Sequence, residues 1–245
     1  MSLNEKFESA GNFLFRWRSF LPLLTIGLFL IAMRHFSYPR SEHSLDLLWE
    51  GISLAVSLCG LAIRVFTVGF TPKGTSSRTT SKPKASTLNT TGMYSIVRHP
   101  LYLGNFFIWL GFSMCPRSFF LAIILIFIFF VYYGLIILAE EKVLYENFGN
   151  MFVEWSRKTP MLFPRFRNWQ KASLPFLLKA AIKREHSTFF AVIAAFTCLE
   201  IGEDFLYLGK LEFDPVWVFI FLTGLCIYLI LLTLKKKGFL DVEGR

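Results

Sequence analysis

The sequence predicts an all-α, polytopic helical membrane protein, with about six transmembrane helices and a cytoplasmic amphipathic segment. Three observations carry this. Hydrophobic residues make up 54% of the chain and charged residues only 18%, whereas a soluble domain is about a quarter charged. The 29 Phe residues sit mostly inside long apolar runs, and such runs read as spans when they approach about 20 residues. Basic residues collect in alternate loops, the pattern that orients a membrane protein. A length of 245 residues accommodates one bundle and little else.

Each element follows in order. Residues 1–19 are polar and carry both signs. Residues 20–36 form a short first span between Arg18 and Arg34; it ends in Arg34-His35 without a small-residue cleavage site, so it reads as retained rather than as a removable signal. Residues 45–69 form the second span, with Glu50 near its start and Arg64 near its end. A polar insert, 71–84, follows. Residues 101–115 form the third span, broken at Pro116, where proline removes a donor and clashes with the preceding turn. Residues 118–139 form the fourth. Residues 140–184 read as charged, amphipathic pieces punctuated by Pro160, Pro164 and Pro175. Residues 187–202 and 215–234 form the last two spans.

Loop charge sets the orientation. The insert, residues 142–184 and Lys235-Lys236-Lys237 are basic, while the alternate loops are near neutral or acidic, as at Glu203, Asp204, Glu212 and Asp214. Six spans with both ends of the bundle facing the cytoplasm satisfy every loop. A net charge of +9 would suggest nucleic acid in a soluble protein; here it follows from orientation, and no nucleic-acid partner is expected. Cys59, Cys115, Cys198 and Cys226 form no C-x-x-C pair and no metal-type Cys/His spacing. They read as buried reduced thiols, and no metal is expected.

This orientation brings Arg98-His99, before the third span, to the same side as Glu140-Glu141, at the end of the fourth. A tight hairpin makes the two pairs neighbours. Each piece alone has an ordinary reading: Arg98-His99 as interfacial anchors, Glu140-Glu141 as a solvated helix end, Tyr94, Tyr102 and Trp109 as an aromatic belt, Gly104 as a site of close packing. Yet carboxylates are disfavoured at a helix C-terminus, and ionisable groups at the membrane edge carry a functional default.

The stretch 87–104, with Thr87, Leu88, Asn89, Tyr94, Arg98-His99-Pro100-Leu101-Tyr102 and Gly104, resembles the cofactor-binding motif of the isoprenylcysteine carboxyl methyltransferase and phospholipid methyltransferase superfamily. Its second half is Glu140-Glu141, Leu144, Phe148-Gly149, Phe152, Trp155, Thr159-Pro160 and Phe163-Pro164. The resemblance covers residues 60–168. It divides the chain into N-terminal membrane helices (1–59), a methyltransferase core with the cofactor site (60–168), and a linker with C-terminal membrane helices (169–245). It implies S-adenosyl-L-methionine as cofactor, with Thr87, Leu88, Asn89, Tyr94, His99, Pro100, Leu101, Tyr102 and Glu140 around it, and Arg98, His99 and Glu141 as catalytic residues. The chemistry agrees. A sulfonium and an ammonium need carboxylates and aromatic faces, and a carboxylate needs a donor such as Arg98 or His99. In-line methyl transfer rests on alignment and electrostatic preorganisation, without a metal. An anionic oxygen acceptor needs no general base, whereas an amine does.

The acceptor is expected to be a membrane lipid. Carboxyl-methylating members of the superfamily carry an arginine where this chain has Ile136, which argues against prenylcysteine. The insert offers Lys73 and Arg78 among Gly, Ser and Thr, residue types that bind phosphate oxygens, although a purely orienting loop would look the same. Residues 69–76 are similar to a bacterial branch that O-methylates the phosphate of lipid A. That acceptor comes first, a phosphatidylethanolamine amine and an isoprenylcysteine carboxylate after it. The expected setting is a bacterial inner membrane, with the site on the cytoplasmic side. Two other classes remain: an NADPH-dependent sterol-type reductase, for which no 2′-phosphate site is evident, and a non-catalytic lipid-binding scaffold, which has no use for Glu140-Glu141 opposite Arg98-His99.

Overall fold

A computed structural model describes residues 3–18, 23, 25–33, 43–72, 75 and 86–242, with backbone alone for 3–8, 43 and 208. Among these residues all regular structure is helical, apart from a single β-bridge between Gly92 and Gln170. The helices are α1 (Leu3–Trp17), α2 (Ile26–Met33), α3 (His43–Phe70), α4 (Met93–Ile96), α5 (Pro100–Met114), α6 (Phe119–Phe148), α7 (Asn150–Lys158), α8 (Leu178–Leu208) and α9 (Pro215–Lys236), with a 3-10 turn at Phe166–Asn168.

Local chemistry sets most of the boundaries. Pro100 opens α5, where its fixed φ suits the first turn and its missing N–H costs nothing. Ser118 caps α6 by accepting from the Leu121 amide at 3.3 Å, and Asp214 caps α9 by accepting from Val216 at 2.7 Å and Trp217 at 3.3 Å. Lys235 and Lys236 close α9, the favourable sign for a helix C-terminus.

Several expectations change. α6 does not stop at Ala139: it continues through good helix formers to Phe148 and ends where Gly149 adopts φ 49°. Glu140 and Glu141 therefore lie inside a helix, about two turns before its end. The polar N-terminal segment is a helix, α1, packed along α6 with Phe15 buried against Phe129 and Ile136. The expected fifth span is the middle of a 31-residue helix, α8. Of the four cysteines only Cys115 is buried; Cys59, Cys198 and Cys226 are exposed on α3, α8 and α9.

Three helices are long and apolar enough to cross a membrane: Ser44–Phe70, Phe119–Phe148 and Pro215–Lys236. Phe119, Phe120, Phe127, Phe219 and Leu222 stand exposed on two of them, as a lipid-facing surface requires. α5 has 15 residues, about 22 Å at 1.5 Å per residue, and α8 carries Glu185, Glu200, Glu203 and Asp204. Of the expected first span, residues 23 and 25–33 are described, and eight of them form α2.

The helices pack in the order α9, α8, α3, α5, α6, α1, and α2 touches both α8 and α6, closing a ring. The tightest approach joins α3 to α5. A Cβ on Gly60 would meet the Gly104 carbonyl, and one on Gly104 would meet Arg64 Cγ at 2.5 Å, so the two glycines let the backbones touch and leave room for Arg64 to cross.

Candidate active site

One end of the ring opens into a cavity of about 700 Å³. Its first wall is the segment leading into α5. Gly92, at φ 60° and ψ −133°, takes a turn that a side chain would strain, and its amide donates to the Gln170 carbonyl at 3.0 Å. The short α4 then buries Tyr94, Ser95 and Ile96. The Ser95 hydroxyl donates to the Gly92 carbonyl at 2.7 Å and accepts from the Gln170 amide at 2.9 Å. Burial pushes the Tyr94 phenol above its usual pKa, so it stays neutral.

The residues after α6 wrap this segment. The Arg98 amide donates to the Pro160 carbonyl at 2.8 Å, the His99 amide to Met161 at 3.3 Å, and the Arg165 amide to Ile96 at 2.9 Å. Trp155 Nε1 donates to the Tyr94 carbonyl at 3.0 Å. The prolines that punctuate 140–184 thus have a local use: they stop the chain from becoming helix, and its carbonyls are free to hold the Arg98-His99 loop.

The side chains form a continuous ionic chain. Arg98 Nη1 donates to Glu141 Oε2 at 2.9 Å, and His99 Nε2 lies 3.0 Å from Glu141 Oε1. His99 Nδ1 is 3.6 Å from Glu140 Oε2, and the Tyr102 hydroxyl donates to Glu140 Oε1 at 2.7 Å. The Tyr102 ring packs on His99 and on Tyr133, with centroids 5.6 and 4.8 Å apart. The Tyr133 hydroxyl accepts from Asn105 Nδ2 at 2.9 Å. Asn105 Oδ1 accepts from Arg64 Nη1 at 2.6 Å, and Arg64 grips Glu185 of α8 with two hydrogen bonds.

Ten of the sequence-derived residues therefore share one cavity: Thr87, Leu88, Asn89, Tyr94, Arg98, His99, Pro100, Leu101, Tyr102 and Glu140 all line it. Glu141 does not; its carboxylate sits behind, held by Arg98 and His99. Lys73 and Arg78 lie outside the described residues. Thr75, the described residue nearest them in the insert, lines the cavity. Ile136 is fully buried in a cluster with Phe15 of α1 and is not among the cavity-lining residues. Sequence reasoning missed Arg18, Arg64, Asn105, Tyr133, Arg184 and Glu185, which also line it. Arg64 alone gave a signal, as a charge inside an apolar run.

Fold and site together define a class: a helical protein with membrane-length helices and a cavity walled by Glu140, a histidine and arginines, with Glu141 behind. Residues 52–151 match the family model described as phospholipid methyltransferase, which supports the superfamily that the two motifs resemble. The chain is also similar to the nickel-cobalt-cadmium resistance protein NccN of Alcaligenes xylosoxydans xylosoxydans, 39% identical over 90 residues, 37% of this chain and 42% of that protein. The cobalt-zinc-cadmium resistance protein CzcN of Cupriavidus metallidurans is 38% identical over 82 residues, 34% of this chain and 38% of that protein. These matches span about two fifths of the length of either relative. No solved structure matches.

Proposed function

We propose that this chain is an integral membrane methyltransferase that uses S-adenosyl-L-methionine to methylate a membrane lipid. The observation that carries the reading is Glu140, facing the cavity between Tyr102 and His99, with Glu141 fixing Arg98 and His99 behind it. The match of residues 52–151 to phospholipid methyltransferases supports the same reaction class.

The cavity suits the cofactor. Its volume falls within the roughly 300–1,000 Å³ of small-molecule sites. Leu88, Tyr94, Leu144 and Trp155 form an apolar cluster at one side for a nucleobase, and Glu140 offers a carboxylate for an ammonium. Arg98 Nε is buried without a partner, an unused donor for a carboxylate. When bound, the cofactor supplies an electrophilic methyl group on a sulfonium. The chain's residues orient and exclude water: Tyr102 and His99 hold Glu140, Glu141 holds Arg98 and His99, and the 155–170 wrap fixes the loop. Preorganised charge of this kind needs no rearrangement during reaction.

For the acceptor we favour an anionic headgroup, with the phosphate of lipid A as the particular candidate. Arg18, just after α1, and Arg184 of α8 line the cavity with Ser187 and Thr188, as does Thr75 of the insert. A phosphate oxygen is already anionic and needs no base. The proposal includes six spans, with α5 and α8 crossing in the company of their neighbours, and a cavity facing the cytoplasm of a bacterial inner membrane. Incubation with labelled S-adenosyl-L-methionine and a total lipid extract, read by mass spectrometry, tests it. A phosphate methyl ester supports the whole reading; a methylated amine or carboxylate replaces the acceptor; stabilisation by NADPH without methyl transfer replaces the reaction.

A further inference from the structure

At the other end of the ring, α3, α5, α8 and α9 enclose a second group of ionisable side chains that methyl transfer does not use. Asp46 and Glu50 come from the first turns of α3, Glu200, Glu203 and Asp204 from the last turns of α8, and Cys115 ends α5. All six are buried, with Glu203 and Cys115 at 0% exposure and Glu50 at 1%. The charge is one-sided. Arg117 pairs with Asp46, and among the described residues no ion pair reaches Glu50, Glu200 or Glu203.

Hydrogen bonding is also incomplete. Glu50 Oε2 accepts from Trp217 Nε1 at 2.8 Å, but Glu50 Oε1, Glu200 Oε2 and both oxygens of Glu203 are buried without a partner. Protonation would neutralise Glu203 and let it donate toward a Glu50 oxygen, but would still leave its second carboxyl oxygen unsatisfied. A cation satisfies charge and lone pairs together. Glu50, Cys115 and Glu203 each place one ligand atom within 4.8 Å of the others. Three such atoms have a common centre no more than about 2.8 Å from each, so closing to metal bonds of roughly 2.0–2.3 Å asks for less than an ångström of movement.

We propose that Glu50, Cys115 and Glu203 bind one divalent transition-metal ion. One thiolate with carboxylates favours a borderline ion of the zinc, cobalt or nickel kind over magnesium or calcium, which take oxygen ligands. A second group, Asp46, Glu50 and Glu200, gathers nearby; its Asp46 is engaged by Arg117, so it supports the first from the side, with Glu200 Oε2 available as a further ligand. On binding, the Cys115 thiol gives its proton to water and coordinates as thiolate. The ion ties α3, α8 and the α5–α6 turn together, and α9 joins through Trp217. Glu50 lies 14 residues from Arg64 along α3, about 21 Å at 1.5 Å per residue, so the site is separate from the methyl-transfer cavity and stands or falls on its own.

The test titrates the purified full-length chain in detergent micelles with Co²⁺ alone. Expected are saturable binding of one ion per chain, a thiolate-to-cobalt charge-transfer band, and a rise in unfolding temperature. Cys115→Ser removes the band, Cys59→Ser keeps it, and Glu203→Gln lowers the affinity at least tenfold. Without metal, Glu203→Gln unfolds no earlier than the wild type, because a buried carboxylate with no partner has been removed. Excess Mg²⁺ leaves the band intact. Absence of saturable binding overturns the proposal, as does a band that survives Cys115→Ser or displacement by Mg²⁺. If Glu203→Gln does not fold, the Cys115→Ser and Cys59→Ser titrations decide.

Discussion

Arg64 and Glu185 form a two-point ion pair, Nε to Oε2 at 2.8 Å and Nη2 to Oε1 at 3.0 Å, between helices whose partners are 121 residues apart in sequence. Glu185 is only 4% exposed. Both residues line the cavity, and the pair connects through Asn105 to Tyr133 and the Tyr102 ring.

Arg64→Ala should destabilise the protein by about 3–5 kcal/mol, because it leaves a buried carboxylate without its cation. Thermal unfolding in micelles measures this. The double variant Arg64→Met/Glu185→Leu should recover much of the loss, since an apolar pair carries no uncompensated charge. A single variant as stable as the wild type would show that the pair is merely superficial.

Glu140→Gln should weaken binding of S-adenosyl-L-methionine by roughly 1.5–3 kcal/mol, the range for a hydrogen bond to a charged group. Tyr102→Phe removes only the hydroxyl that holds Glu140 and should cost less, about 1 kcal/mol. Titration calorimetry reads both. Unchanged affinity in Glu140→Gln would remove the cofactor assignment.

Glu141 stands behind the cavity, so its substitution should act through Arg98 and His99. Glu141→Gln should lower kcat by about tenfold or more while changing the cofactor Kd less than Glu140→Gln does, the pattern expected when orientation rather than binding is lost. His99→Ala should abolish transfer and leave a folded membrane protein. A larger effect of Glu141→Gln on cofactor affinity than on kcat would reverse the division between the two glutamates.

If the acceptor is an anionic lipid, neutralising Lys73 and Arg78 should raise the lipid KM more than the cofactor KM. Arg184→Gln, in the cavity wall, should do the same. Steady-state kinetics with the lipid in mixed micelles separates the two constants. Equal effects on both would return the insert to the role of orienting the chain.

Much of this protein was legible in its local pattern. Apolar runs placed α3, α5 and α9 within a few residues, because side-chain hydrophobicity and the Pro116 break act over one or two turns. The two motifs named most of the cavity wall for the same reason: each is a continuous stretch, and a hairpin of known polarity brings them together. The ends of charged helices were less legible. Glu140 and Glu141 looked like a terminus because the apolar run stops there, whereas the backbone stops only at Gly149.

The pairs Arg98-His99 and Glu140-Glu141 were thus legible in the sequence as neighbours; their inner arrangement was decided by the tertiary structure. Only packing puts Glu140 in the cavity and Glu141 behind it, turns Ile136 toward α1, and joins Arg64 to Glu185. Only packing gathers Asp46, Glu50, Cys115 and Glu203 at the far end. The reason is physical. A helix's own periodicity says which residues are apolar, but a buried charge is set by a partner on another helix, and a partner more than a hundred residues away leaves no periodic trace.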